Sequence, residues 1–170
     1  MLRIFNDLKP FFENNYKRLN IREYGRVRKI SPPSASKLLE AYYQEILLVK
    51  EKDKNYIYYS ANKNNRLFID LSRSYWMLRL KESGLIDFFE KELISPIIIL
   101  FGSFSKAEIK ETSDIDIAIF TISDKKINLD EFRKKLKRDI QLFIFKNRNS
   151  VKNKDLLSNI LNGYILHGEW

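Results

Sequence analysis

The spacing of apolar and polar positions divides the chain into a largely helical first part and a later part where strands and helices alternate. From residue 16 to 30, Tyr16, Leu19, Ile21, Tyr24, Val27 and Ile30 recur at roughly helical spacing, interrupted near Asn20. Ser31-Pro32-Pro33-Ser34 stops that helix and starts another, because proline fits only a turn or a first helical turn. The next helix, residues 33–43, puts Ala35, Leu38, Leu39 and Tyr42 on one stripe and Ser34, Ser36 and Lys37 on the other face. Two β-rich runs follow, 46–50 and 56–60, around a polar hairpin tip at 51–55. Residues 66–82 read as a helix striped by Leu67, Leu71, Tyr75, Met77 and Leu78. Gly84 breaks it, and 85–93 form a shorter amphipathic helix. Beyond Pro96 come a buried strand at 97–101 ending at Gly102, a strand at 115–122, a basic helix at 128–138 and a strand at 140–145. The last helix, 155–167, would turn Leu156, Leu157, Ile160, Leu161 and Tyr164 inward.

Composition narrows the class. Of 170 residues, 44% are hydrophobic and 14% aromatic, enough to build a core. Cysteine is absent and histidine occurs once, which excludes disulfide scaffolds, thiolate nucleophiles, Cys-ligated metal centres and His-rich sites. The longest apolar run is far short of the ~20 residues of a spanning helix. Met1-Leu2-Arg3 meets charge too early for a signal peptide. These features predict a soluble, cytoplasmic protein with no membrane association.

Charge points to the partner. Lys and Arg number 31 against 22 Asp and Glu, a net of +9, and residues 1–50 hold ten basic and five acidic side chains. Such an excess attracts phosphate polyanions, nucleic acid or nucleotide. Arg22, Arg26, Arg28 and Lys29 are candidate phosphate contacts, and Arg133, Lys134, Lys135, Lys137 and Arg138 form a basic run able to guide a phosphate-rich substrate. His167, read at the C-terminal end of the last helix, would complement the helix dipole.

The chemistry concentrates in residues 99–120. A buried strand ends in Gly102-Ser103, a turn follows, and the next strand opens with Ser113-Asp114-Ile115-Asp116. Side chains alternate along a strand, so Asp114 and Asp116 share a face while Ile115 and Ile117 point to the core. Two carboxylates repel by about 3 kcal/mol at roughly 6 Å and an effective dielectric near 20. A divalent cation removes that cost, and hard oxygen ligands suit Mg²⁺. Gly102 lets a phosphate approach the backbone, and Ser103 offers a hydroxyl and an amide N–H to it.

Gly102, Ser103, Ser113, Asp114 and Asp116, set on strand–turn–strand between aliphatic runs, resemble the signature of the DNA polymerase β-like nucleotidyltransferase superfamily, in its minimal nucleotidyltransferase branch. The resemblance covers residues 85–150. It implies Mg²⁺ held by Asp114 and Asp116, and an NTP (ATP first) bound by Gly102, Ser103 and Ser113, with its β- and γ-phosphates at Gly102 and Ser103. Transfer of a nucleoside monophosphate to an acceptor would follow. Two positions depart from the family pattern: Ala107 stands where a glycine is usual, and Gln141 stands where a third carboxylate is expected, with Asp139 on the same face. A glutamine ligates through its carbonyl but cannot act as a base.

The first part resembles the winged helix-turn-helix domain that precedes this module in some archaeal proteins. That resemblance implies double-stranded DNA contacted by Ser34, Ser36, Lys37 and Arg26. The expected chain is therefore α+β, with a winged helix-turn-helix domain and linking helix at 1–82 and a small, mixed-sheet, α/β-type nucleotidyltransferase module at 83–170. The alternative reading is a DNA-binding regulator or antitoxin whose module is degenerate or senses nucleotide. A helical RNase-like toxin would then be the protein partner, and homodimerisation is expected by analogy of fold.

Overall fold

The computed structural model describes residues 2–170. The chain forms two compact units, Met1–Ser72 with Ala107–Glu111, and Arg73–Lys106 with Thr112–Trp170.

The first unit contains α1 (Arg3–Glu13), β1 (Leu19–Asn20), α2 (Ile21–Arg28), α3 (Pro32–Gln44), β2 (Leu48–Asp53), β3 (Tyr56–Ala61) and the first part of α4 (Arg66–Glu82). Its antiparallel sheet has the order β1-β3-β2. Phe5, Leu8, Phe11 and Phe12 of α1 are buried, and Phe11 stacks on Tyr24 of α2 at 6.1 Å between centroids. Phe12 packs against Phe68 at 5.3 Å. The spacing of those four apolar residues is helical, yet the sequence reading began its first helix at Tyr16 and passed over α1.

The helix expected at 16–30 is shorter than its apolar spacing implied. Asn20 accepts from the Glu23 N–H while the Glu23 carboxylate accepts from the Asn20 N–H, a capping box that starts α2 at Ile21. Leu19 therefore lies in a strand, and Tyr16 and Val27 are exposed. Ser31 caps α3, with Pro32 at its first position. The hairpin tip expected at 51–55 is also tighter. β2 pairs to Asp53, opposite Tyr56, and Lys54 takes a left-handed φ of 53° in the turn.

One buried carboxylate of this unit is fully engaged. The buried Asp7 carboxylate receives Arg28 Nη2 and the Tyr42 hydroxyl, each at 3.0 Å, and the Tyr24 hydroxyl donates to the Asp7 carbonyl at 2.9 Å. Burial, then the Asp7 charge, push the Tyr24 hydroxyl up to about 12.

The second unit holds the remainder of α4, then α5 (Leu85–Glu92), β4 (Ile97–Phe101), α6 (Ser103–Lys106), β5 (Ile115–Phe120), α7 (Asp130–Leu136), β6 (Ile140–Phe145), a 3₁₀ turn at Arg148–Ser150, α8 (Lys154–Leu161) and β7 (Tyr164–His167). The sheet order is β6-β5-β4-β7; β5 and β6 run parallel, and both other pairings are antiparallel. On one face Ile99, Phe101, Ala118 and Phe120 pack with Val151 and Ile160. Ile98, Leu100, Ile115, Ile117 and Ile119 alternate with them and are also buried. Buried on both faces, β4 and β5 read as nearly continuous apolar runs.

The helix expected at 155–167 ends at Leu161, and Tyr164–His167 is a strand against β4. Gly163 explains the change: a Cβ there would lie 2.6 Å from the Leu100 carbonyl oxygen, so only glycine lets the backbone approach β4 so closely. His167 accordingly complements no helix dipole. It sits on β7, with Nδ1 2.9 Å from Glu90 Oε1 of α5.

Candidate active site

β4 and β5 present the site at one end of the sheet. Phe101, the last residue of β4, pairs with Asp116, so the Gly102 turn begins beside that carboxylate. Gly102 has a φ of 68°, in the left-handed region that favours glycine, and a Cβ there would overlap Asp116 Oδ2. Ser103 opens α6, and the Ser105 hydroxyl donates to the Gly102 carbonyl at 3.0 Å. The turn thus keeps a bare backbone surface directly against the acid. Sequence alone supplied the glycine but not this reason for it.

Asp116 lies inside β5 and Asp114 just ahead of it. Burial, then the neighbouring Asp114 charge, raise the Asp116 carboxyl above the usual carboxylate range. The acids do not lie along a lateral edge: β5 is flanked by β4 and β6, and they sit at its N-terminal end.

Gln141 and Asp139 behave differently. Gln141 is the register partner of Asp116 on β6, and its Nε2 donates to Asp114 Oδ2 at 2.8 Å. The Asp139 side chain is exposed, with Oδ1 4.0 Å from Arg133 Nε, while its carbonyl accepts from the Ile115 N–H at 2.8 Å. Asp139 thus supports the strand pairing and turns its carboxylate toward α7. Among the described residues no cluster of three or more His, Cys, Asp or Glu side chains could hold a metal. Two carboxylates suffice for Mg²⁺, which commonly takes one or two of them plus water and substrate phosphate oxygens. Asp114 and Asp116, one residue apart at the start of β5, offer two carboxylates beside the Gly102 turn, a donor set that fits such an ion.

Three residues that the motif did not single out for the site buttress it. Arg73 on α4 donates from Nε to the Ser105 carbonyl at 2.5 Å. Trp76, one turn further along, meets the Phe104 ring edge-on at 4.6 Å. Arg138 lies 5.8 Å over Trp76 and donates to the Ser113 carbonyl at 3.3 Å, tying the backbone before Asp114 to the same cluster. Arg138 belongs to the basic run read from the sequence; Arg73 and Trp76 carried no motif signal and act through tertiary contact. Elsewhere in that run, Arg133 binds Asp130 and Lys135 binds Glu131.

In the first unit, Ser34 and Lys37 are exposed on the first turns of α3, Ser36 is half-buried there, and Arg26 is exposed on α2. Arg22, Arg26, Lys29 and Pro32 line one surface cavity; Arg22, Pro32, Tyr56 and Ile57 line a second that reaches the hairpin tip. Arg28, read as a phosphate contact, turns inward to Asp7 instead.

The Gly-Ser turn and the two strand acids thus meet at one end of a small mixed sheet. Residues 84–167 match the family described as Polymerase beta, Nucleotidyltransferase, and they constitute a polymerase β-like nucleotidyltransferase domain. Arg73 and Trp76 fall outside the matched residues. No curated protein and no solved structure matches the chain. No helix among the described residues is long and apolar enough to cross a membrane.

Proposed function

We propose that the chain transfers a nucleoside monophosphate from an NTP to an acceptor, with Asp114 and Asp116 holding Mg²⁺. The observation that carries this reading is the apposition of Gly102 and Asp116, which leaves backbone and carboxylate facing one another with no Cβ between them. Mg²⁺, when bound, would neutralise phosphate charge and orient the attacked phosphorus. The chain's own contributions are the two carboxylates, the Ser103 hydroxyl and amide N–H, and a turn held by Arg73 and Trp76. ATP is the first NTP to test, with α-labelled nucleotide and cell extract as the acceptor source. Label should pass to a protein, RNA or small molecule with wild type and should not with Asp114→Asn/Asp116→Asn. Equal transfer by the double variant overturns the assignment.

A second reading is favoured by Gln141, which donates to Asp114 where a third acid would otherwise contribute a base. In it the module senses nucleotide, and the first unit serves as a winged helix-turn-helix domain regulating transcription, with an antitoxin role among its outcomes. α2 and α3 would form the helix pair, β2 and β3 the wing, and Arg22, Arg26, Lys29, Ser34, Ser36 and Lys37 the DNA face. Duplex DNA binding should then weaken steeply with salt, and Arg26→Ala/Lys37→Ala should flatten the slope by about one to two units. Electrophoretic mobility shifts across a salt series measure this; salt-insensitive or absent binding removes the reading.

A further inference from the structure

The strand bearing the acids ends at a second concave surface. Asp116 and Phe120 are four residues apart on β5, about 13 Å at strand rise. Around Phe120 opens a cavity of 560 Å³, lined by Ile97, Ile122 and Trp170 and by the cationic side chains of Lys146 and Arg148. Sites for single organic ligands run from roughly 300 to 1,000 Å³.

Its chemistry is specific. The Arg148 guanidinium sits 3.6 Å over the Trp170 ring centroid, and that ring meets Phe120 edge-on at 4.9 Å. Trp170 nevertheless remains 49% exposed and Ile122 68% exposed. Among its side chains the lining carries two cations and no carboxylate; Asp124 approaches Lys146 from outside it, at 3.8 Å. Asn147 and Asn149 add amide groups to the same lining. A small inorganic anion would leave the indole and isoleucine surface wet, while a neutral apolar ligand would leave the cations without a partner. A planar ring joined to an anion satisfies both, and the volume admits one nucleotide rather than an oligonucleotide.

We propose that this cavity binds a nucleotide, the base against Trp170 and the phosphate toward Lys146 and Arg148, at a site separate from the acid pair. Base–aromatic stacking of this kind is sequence-tolerant and strengthened by arginine.

The test is calorimetric titration of AMP into the full chain in the presence of a metal chelator, beside adenosine and inorganic phosphate given singly. AMP should bind wild type and Asp114→Asn/Asp116→Asn with affinities within about twofold, and bind Arg148→Gln and Trp170→Leu about tenfold or more weakly. Adenosine and phosphate should each bind more weakly than AMP. Arg148 is exposed, so its variant carries the test even if Trp170→Leu unfolds. Absence of AMP binding overturns the proposal, as does binding lost in the acid-pair variant or unchanged in Arg148→Gln. Phosphate binding as tightly as AMP reduces the site to an anion site and overturns the nucleotide assignment. Because metal is excluded, failure here leaves the reading of the acids untouched, and failure of that reading leaves this one standing.

Discussion

Gln141 stands in register with Asp116 yet gives its amide hydrogen to Asp114, at 2.8 Å. The bond ties up one Asp114 oxygen and partly offsets the mutual repulsion of the two acids in the absence of a cation. Gln141→Glu should exchange that donor for a third negative charge. The variant should lose about 1–2 kcal/mol of stability without metal and bind Mg²⁺ about tenfold more tightly. Denaturant unfolding and calorimetric Mg²⁺ titration check the two halves separately. An unchanged Mg²⁺ affinity would show that position 141 does not face the ion.

Asp116 sets a pH dependence. Its folded carboxyl is raised by burial and by Asp114, whereas in the unfolded chain it has an ordinary value near 4. Folding therefore binds the proton more tightly than unfolding does. The stabilising contribution is complete below the unfolded value and is lost as pH rises through the folded one. Stability should fall across that window, and Asp116→Asn should flatten the fall while abolishing Mg²⁺–nucleotide binding. Thermal melts from pH 3 to pH 7 provide the comparison; an unchanged profile in the variant refutes the assignment.

Gly102→Ala combines two costs. The left-handed backbone at φ 68° disfavours any Cβ, and the new methyl would displace the Asp116 carboxylate. We expect about 1–2 kcal/mol of lost stability from the backbone and a loss of nucleotide affinity of about tenfold or more from the moved acid. Affinity should suffer more than the backbone strain alone predicts. Equal nucleotide binding by the alanine variant would mean that the turn does not meet the phosphates.

Asn15 makes a prediction for the first unit. Its buried side chain donates to the Phe11 carbonyl and accepts from the Ile109 N–H, both at 2.7 Å. Its own N–H donates to the Ile109 carbonyl at 2.8 Å. Asn15→Ala strands buried backbone groups at Phe11 and Ile109 and should cost about 2–4 kcal/mol. Hydrogen exchange should reveal lost protection at the Ile109 amide; full protection there would deny the side chain this role.

How much was legible follows from the range of each interaction. Strand 97–101 was readable because burial on both faces forces a continuous apolar run between breaking residues, and 140–145 because isoleucine and phenylalanine favour strands. The acid pair was readable because alternation along a strand is local geometry. α2 was misjudged because apolar spacing continued through Tyr16 and Leu19, while the Asn20–Glu23 capping box fixed its true start. β7 was missed because Leu156, Leu157, Ile160, Leu161 and Tyr164 satisfy helical spacing. Only the approach to β4 required Gly163 to end the pattern.

The sequence by itself determined the two acids, the glycine–serine turn, the strands that carry them and the basic character of the chain. These depend on residue type and on separations of one to four positions. Tertiary structure alone decided that Gln141 would grip Asp114, that Asp139 would turn to Arg133, and that Arg73 and Trp76 would brace the turn. Apart from Asp139 and Arg133, those contacts join residues tens of positions apart, and in all of them side-chain direction is set by packing and register, quantities that no local spacing encodes.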